Sequence, residues 1–77
     1  MEKEVFERLL VEYNELLEKI NKLRNFILGD SFNEIDELNK DLCLSQLHAM
    51  ETYISILSIR LAYNHTSSGE DVALNEA

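Results

Sequence analysis

The chain has 77 residues, of which 15 are acidic and 7 are basic, giving a formal net charge of −8 at pH 7. A chain of this length forms at most one domain and buries only a modest core. Its negative charge repels a phosphate backbone, so direct binding to nucleic acid is not expected. Cys43 is the single cysteine, which excludes an intrachain disulfide and fits a reducing compartment.

Neither a secretory leader nor a membrane-spanning segment is expected. The N-terminal segment MEKEVFERLL carries charges within its first turn and lacks the apolar region of a signal peptide. No apolar run approaches the ~20 residues that a membrane span needs. We therefore expect a cytoplasmic protein that makes no contact with a membrane.

The chain before Gly29 has the pattern of one long amphipathic helix, over about residues 2–28. Its apolar side chains alternate steps of three and four residues, the heptad pattern of helices that pack side by side in coiled coils. They are Phe6, Leu9, Tyr13, Leu16, Ile20, Leu23 and Ile27. Gly29 is expected to end this helix in the left-handed conformation.

A turn and a short helix are expected between the two long helices. Ser31 and Glu34 have the S-x-x-E spacing of a capping box, which starts a helix. The apolar stripe then shifts by one position near residues 39–41, and we place a break there. This break separates a short helix, over about residues 32–38, from a long helix over about residues 40–63. Because the link is short, the long helices are expected to form an antiparallel hairpin.

The second long helix is apolar on two sides. One side matches the first helix, and the residues expected to be buried between them are Leu16, Ile20, Leu23, Leu47, Met50, Ile54 and Leu57. The other side lies roughly 150° around the helix, at about 100° per residue. This second side is called the outer stripe, and it comprises Ala49, Thr52, Ile56, Ile59 and Tyr63.

One partner helix cannot cover both sides. Burial of a large apolar side chain contributes about 1.5–3 kcal/mol, so an uncovered stripe favours self-association. We therefore predict an all-α homo-oligomer, most simply a dimer of hairpins forming a four-helix bundle, with the outer stripe as its interface. The alternative is a monomer whose C-terminal segment covers the stripe. The predicted domain organisation is a hairpin over residues 1–64 and a polar, flexible tail over residues 65–77.

The sequence contains no specific set of catalytic or metal-binding residues, and we expect a non-enzymatic protein without a cofactor. His48 has Glu51 and Thr52 within helical reach, which is typical of a surface helix rather than of a catalytic triad. Zinc-binding and phosphate-loop motifs are absent. No carboxylate pair lies in an apolar stretch that would tune its pKa for acid–base chemistry.

Two charged groups are candidate binding sites. The first is an acidic tip at the turn, which resembles phosphates toward a basic partner, although an ordinary solvated turn is the simpler interpretation. It comprises Asp30, Glu34, Asp36, Glu37 and Asp41. The second is a basic group that an oligomer would duplicate around a small anionic ligand, although ion pairing along the helix also accounts for it. It comprises Lys19, Lys22 and Arg24, with Tyr13 and Tyr53 as the aromatic residues.

Each helical segment also carries a spaced pattern of polar and apolar residues. In the first segment these residues are Arg8, Glu12, Glu15, Leu16, Lys19, Leu23 and Phe26. In the second they are Leu44, Gln46 or Leu47, Met50, Tyr53, Leu57 and Arg60. Over residues 5–62 the patterns resemble those of small uncharacterised phage and prophage proteins of the type found in crAss-like phages.

This resemblance implies a phage origin, a location in the host cytoplasm and an accessory role. Our leading hypothesis is a non-enzymatic protein that binds and inhibits a host protein, such as a defence nuclease. One alternative is an oligomeric sponge for an anionic nucleotide signal. Another is a structural or assembly component of the virion.

Overall fold

The structure is a computed structural model that describes residues 2–67. Two long helices, α1 (Lys3–Leu28) and α2 (Glu37–Ser67), are joined through a short 3-10 helix (Asp30–Glu34). The long helices pack against each other as an antiparallel hairpin. The predicted all-α hairpin with a short intervening helix is therefore confirmed. The predicted tail falls mostly outside the described residues, since α2 ends at Ser67.

Helix α1 forms because most of its apolar residues occupy one stripe and the rest of its surface is mainly polar or charged, although Val11 is exposed. Leu9, Leu16 and Ile20 are its buried residues. On the outer surface, Lys22 Nζ lies 3.1 Å from Glu18 Oε1, an exposed i,i+4 pair. Such a pair stabilises a helix by only a few tenths of a kcal/mol. Packing of the apolar stripe against α2 is therefore the larger contribution to the stability of this helix.

The core lies in the seam between α1 and α2. Its buried side chains are Leu9, Leu16, Ile20, Leu47 and Leu57. Leu57 has no exposed surface and Ile20 is 2% exposed, so these two residues occupy the centre of the seam. The predicted core residues Leu23, Met50 and Ile54 pack against this cluster but are only partly buried. A single facing helix shields only one side of its partner, which leaves residues at the edges of the seam partly exposed.

The junction between the helices differs from the sequence prediction. Gly29 has φ −90° and ψ 172°, which is extended rather than left-handed backbone. Its N–H donates to the Phe26 carbonyl at 3.1 Å. Ser31 caps no helix, because the 3-10 helix already begins at Asp30 and has no side-chain cap. Helix α2 begins at Glu37, so the predicted break near residues 39–41 was placed too late.

Asp36 is the residue that starts α2. Its carboxylate accepts a hydrogen bond from the Asn39 side-chain amide at 2.6 Å and another from the Asn39 backbone N–H at 3.2 Å. The Lys40 N–H donates to the Asp36 carbonyl at 3.0 Å, which is the first bond of the helix. Asp36 is therefore the N-cap. Asn39, which lies within the predicted break, completes the cap.

Aromatic contacts fix the turn against the hairpin. The rings of Phe26 and Phe32 meet edge to face with their centroids 6.0 Å apart. The ammonium group of Lys40 lies 6.0 Å from the centroid of the Phe32 ring. Both arrangements are favourable for the charge distribution of an aromatic ring. They connect the 3-10 helix to the end of α1 and the start of α2.

Replacement of Leu57 by Ala tests the seam. Because Leu57 is fully buried, we expect the free energy of unfolding to fall by about 2–5 kcal/mol, since apolar contacts are lost and a cavity remains. Leu28→Ala is the matched control, since Leu28 is 78% exposed and should lose far less. Chemical denaturation at one fixed protein concentration measures both. Equal midpoints for the two variants would contradict the core described above.

Replacement of Asp36 tests the cap. The Asn39 side-chain amide, followed by the Asn39 backbone N–H, holds the pKa of Asp36 below its ordinary value of 3.8. The cap therefore stabilises the folded chain fully above that value, and the contribution is lost as the pH falls through the lower pKa of the folded state. At neutral pH, Asp36→Ala should lower the melting temperature by several degrees.

Asp36→Asn is the control for this prediction, because Asn caps a helix about as well as Asp but does not titrate. It should melt near the wild type at neutral pH and lose less stability in acid. Thermal melts followed by circular dichroism at several pH values give the comparison. If the melting temperatures of the wild type and Asp36→Asn fell equally as the pH was lowered, the carboxylate of Asp36 would not be coupled to folding.

Candidate functional site

The basic group proposed from the sequence is spread over different surfaces of the hairpin. Arg24 Nη2 donates across the seam to Glu51 Oε2 of α2 at 2.5 Å. Lys22 pairs with Glu18. Tyr13 packs against the core. Lys19 and Lys22 line one shallow opening of α1, but Arg24 does not line it, so one chain does not gather the whole group around a common pocket.

The Arg24–Glu51 ion pair defines one edge of the hairpin. Lys19 precedes Arg24 by five residues, which at about 100° per residue places it on the other edge of α1. Tyr53 lies seven residues before Arg60, or about two turns, so these two residues share an edge of α2. This second edge, opposite to the Arg24–Glu51 pair, contains a concave site.

An open groove of about 420 Å³ follows the second edge. Both helices line it, with Val5, Arg8, Leu9, Val11, Glu12 and Glu15 from α1 and Arg60 from α2. Its volume lies within the range of roughly 300–1,000 Å³ that is common for small-molecule sites. We call it the arginine groove.

The charges of the arginine groove are mixed. Arg8 and Arg60 supply two guanidinium groups, whose planar donors suit phosphate and carboxylate oxygens. Among residues 2–67, neither of them takes part in an ion pair, whereas Lys22, Arg24 and Lys40 do. Glu12 and Glu15 supply acceptors for hydroxyl or amino groups. The groove is therefore suited to a small ligand that has both anionic groups and hydrogen-bond donors.

Sequence reasoning did not select Arg8 or Arg60 as binding residues. Both were positions of the spaced patterns, as were Glu12 and Glu15, so four polar residues of the patterns line the groove. A second shallow opening, of about 320 Å³, continues along α1 beside Lys19. The spaced patterns were the signal that could have identified this site.

The acidic tip is exposed, as its position at the turn implies. Asp36 caps α2, and Glu37 lies 3.4 Å from the ammonium group of Lys40. These two acidic residues therefore already have structural partners. Asp30 and Glu34 lie at the two ends of the 3-10 helix, and Asp41 lies in the first turns of α2. A role for the tip in binding a basic partner stays a prediction.

The outer stripe is exposed along its whole length. Ile59 is 68% exposed and Tyr63 is 60% exposed, which are high values for large apolar side chains. The hairpin therefore leaves the second side of α2 uncovered by the described residues. The predicted homo-oligomer contact through this stripe stays a prediction.

Within residues 2–67, neither helix combines the length and the apolar composition that a membrane crossing requires. The same part of the chain brings together no group of three or more histidine, cysteine or acidic side chains that could hold a metal ion. The arginine groove and the outer stripe are thus the two surfaces that call for a functional interpretation.

A family model described as Sequestin matches residues 3–63, which include the whole of α1, most of α2 and the complete groove. The chain belongs to the Sequestin family. It is also 34% identical over 55 residues to an uncharacterised 7.5 kDa protein of the denB–rIIB intergenic region of Enterobacteria phage T4, covering 71% of this chain and 86% of that protein. No solved structure matches the chain. The expected relation to small phage proteins is confirmed, while a relation to crAss-like phages stays a prediction.

A double-mutant cycle on Arg24 and Glu51 tests the ion pair of this Sequestin-family hairpin. The two side chains are 46% and 40% exposed, so solvent screens their attraction. We expect a coupling free energy of about 0.2–1 kcal/mol, which decreases as salt is added. Denaturation of the two single variants and the double variant gives the value. Strict additivity at low salt would show that the pair does not persist in solution.

Proposed function

We propose that this Sequestin-family protein is a non-enzymatic phage accessory protein that sequesters a small anionic host molecule of the nucleotide-signal class. The name of the family suggests sequestration, and the T4 relative is a phage protein. The observation that carries the proposal is the convergence of Arg8 and Arg60, from different helices, on one groove.

The chemistry of a nucleotide matches the lining of the arginine groove. Phosphate oxygens accept charge-assisted hydrogen bonds from the two arginines. Ribose hydroxyls and base amino groups donate to Glu12 and Glu15. Val5 and Val11 supply apolar contacts for a base or a sugar. Free phosphate would leave the carboxylates of Glu12 and Glu15 without hydrogen-bond donors, so a ligand that also carries a sugar and a base is favoured.

Sequestration requires affinity and stoichiometry, and it requires no reacting groups. A signal present at micromolar concentration is depleted only if the dissociation constant is lower, which corresponds to more than about 8 kcal/mol of binding free energy. The net charge of −8 opposes the approach of an anion. Selectivity in this site therefore depends on the donors of the two arginines rather than on the overall field of the protein.

A second candidate is the binding and inhibition of a host protein, such as a defence nuclease. The observation that favours it is the outer stripe, since a continuous exposed apolar surface often marks a protein interaction site. The acidic tip adds a surface suited to a basic partner. Capture of one specific host protein from lysate by the wild type, and not by an outer-stripe variant such as Ile59→Glu, would support this candidate.

Isothermal titration calorimetry with cyclic AMP, cyclic di-AMP and ADP tests the groove. For a probe that binds, Arg8→Ala or Arg60→Ala should each weaken binding about 10- to 100-fold, because a hydrogen bond to a charged group contributes about 1.5–3 kcal/mol. Arg24→Ala is the matched control, since it removes the same charge from the opposite edge. A flat response to every probe from the intact protein, or an equal loss in Arg24→Ala, would contradict the proposal.

A further inference from the structure

Helix α2 is apolar on both the side that faces α1 and the side that faces away. The outer stripe contains Ile59 and Tyr63, which are more than half exposed, in a helix whose Leu57 is fully buried. Helices that are apolar around their whole circumference are normally buried on all sides. A hairpin of two helices supplies only one of the layers that α2 requires.

The charge distribution identifies the occupant as a second copy of the same chain. From Leu42 to Asn64, Glu51 and Arg60 are the only Asp, Glu, Lys or Arg residues, so this part of α2 has no net charge in a chain of net charge −8. Glu51 is also paired with Arg24. Helix α1 has no net charge either, but it carries five acidic and five basic side chains, so a second copy has the fewest charged groups to desolvate when it packs on this part of α2. A basic partner would be attracted to the acidic tip instead.

The spacing of the outer stripe favours an antiparallel contact about a two-fold axis. Ile56 lies at its centre, with Ala49 and Tyr63 each seven residues away at the two ends. An antiparallel arrangement places Tyr63 of one copy opposite Ala49 of the other, a large side chain against a small one. A parallel arrangement would place Tyr63 against Tyr63 at a crowded end and Ala49 against Ala49 at an empty end. Such uneven packing is contrary to the close packing of interfaces.

The same symmetry brings Tyr53 to the arginine groove of the other copy. With Ile56 on the axis, Tyr53 of one copy is level with residues 59–60 of the other. A two-fold axis perpendicular to both α2 helices leaves the same edge of each copy on the same side of the dimer. Because Tyr53 and Arg60 share an edge of α2, Tyr53 of one copy and Arg60 of the other lie on that same side. Tyr53 is also an exposed side chain within a single hairpin. It therefore lies beside the open mouth of the groove once the second copy is in place.

We propose that two copies associate through an antiparallel contact of their α2 helices centred on Ile56, and that Tyr53 of each copy completes the arginine groove of the other. The ring of Tyr53 would stack on the base of a nucleotide or on the guanidinium group of Arg60. The ligand part of this inference rests on the proposed function. The arrangement of the two copies does not.

The mass of the wild type in solution, measured by light scattering after gel filtration, should be that of a dimer at micromolar concentration. Ile59→Glu should convert it to a monomer, because an unpaired charge is costly to bury. Ser58→Glu is the matched control, placed on the Glu51 edge of the same helix, and should stay dimeric. A monomeric wild type would overturn the proposal. If a variant that lacks residues 68–77 were dimeric while the full chain is monomeric, the proposal would be overturned as well.

Oxidative cross-linking tests the orientation, in a background with Cys43→Ser. Ile56→Cys should form a disulfide-linked dimer, because the two copies of residue 56 meet on the axis. Ala49→Cys should not, since its two copies would lie about 20 Å apart at 1.5 Å per residue. Cross-linking of Ala49→Cys instead would indicate a parallel contact and would overturn the proposal.

Mixed dimers test the contribution of Tyr53. A short bismaleimide should link Tyr53→Cys to Arg60→Cys in a mixture of the two variants faster than it links either variant to itself. For a nucleotide that binds the wild type, Tyr53→Ala and Arg60→Ala should each bind weakly, and their mixture should recover binding. About one quarter of the capacity should return, since half of random dimers are mixed and each has one complete groove.

The outcomes separate the two proposals. If no probe nucleotide binds the wild type, the proposed function fails, while the masses and the cross-links still decide the arrangement of the copies. If Tyr53→Ala and Arg60→Ala never complement each other although both dimerise, Tyr53 does not act across the interface and the inference is overturned. The proposed function then stands on the groove of a single chain.

Discussion

One apolar seam between two helices holds every other feature of this protein in place. Leu57 and Ile20 lie at its centre with almost no exposed surface. The chain has no disulfide and no third layer within the described residues, so loss of the seam removes the main tertiary contacts of α1 with α2. The same seam sets the register that brings Arg24 to Glu51 on one edge and places Arg8 and Arg60 along one groove on the other.

The two helices divide the chemistry of the chain between them. Helix α1 alternates acidic and basic residues around a single apolar stripe, which suits one buried side and a solvated remainder. Helix α2 is nearly uncharged after Leu42, which suits contact on two sides. The arginine groove lies where these surfaces meet. A ligand bound there would contact the charged face of one helix and the neutral face of the other.

A hairpin of this size is a reasonable scaffold for sequestration. The binding groups need only be held in place, and two helices packed along a common seam hold side chains more rigidly than loops do. A groove formed by one hairpin is nonetheless shallow and open. Association of two copies would add an aromatic wall to each groove and cover the outer stripe with one contact, which connects the two surfaces that the monomer leaves unexplained.

The sequence by itself determined the helical hairpin, because a heptad stripe such as Leu9–Leu16–Ile20 depends only on spacing within a helix. It also located the exposed outer stripe. The start of α2 was misplaced, since S-x-x-E at Ser31 and D-x-x-N at Asp36 are competing local signals, and only the packed turn selects Asp36. The arginine groove required the tertiary structure, because the placement of Arg8 and Arg60 along one groove depends on the register between two helices, which no local pattern encodes.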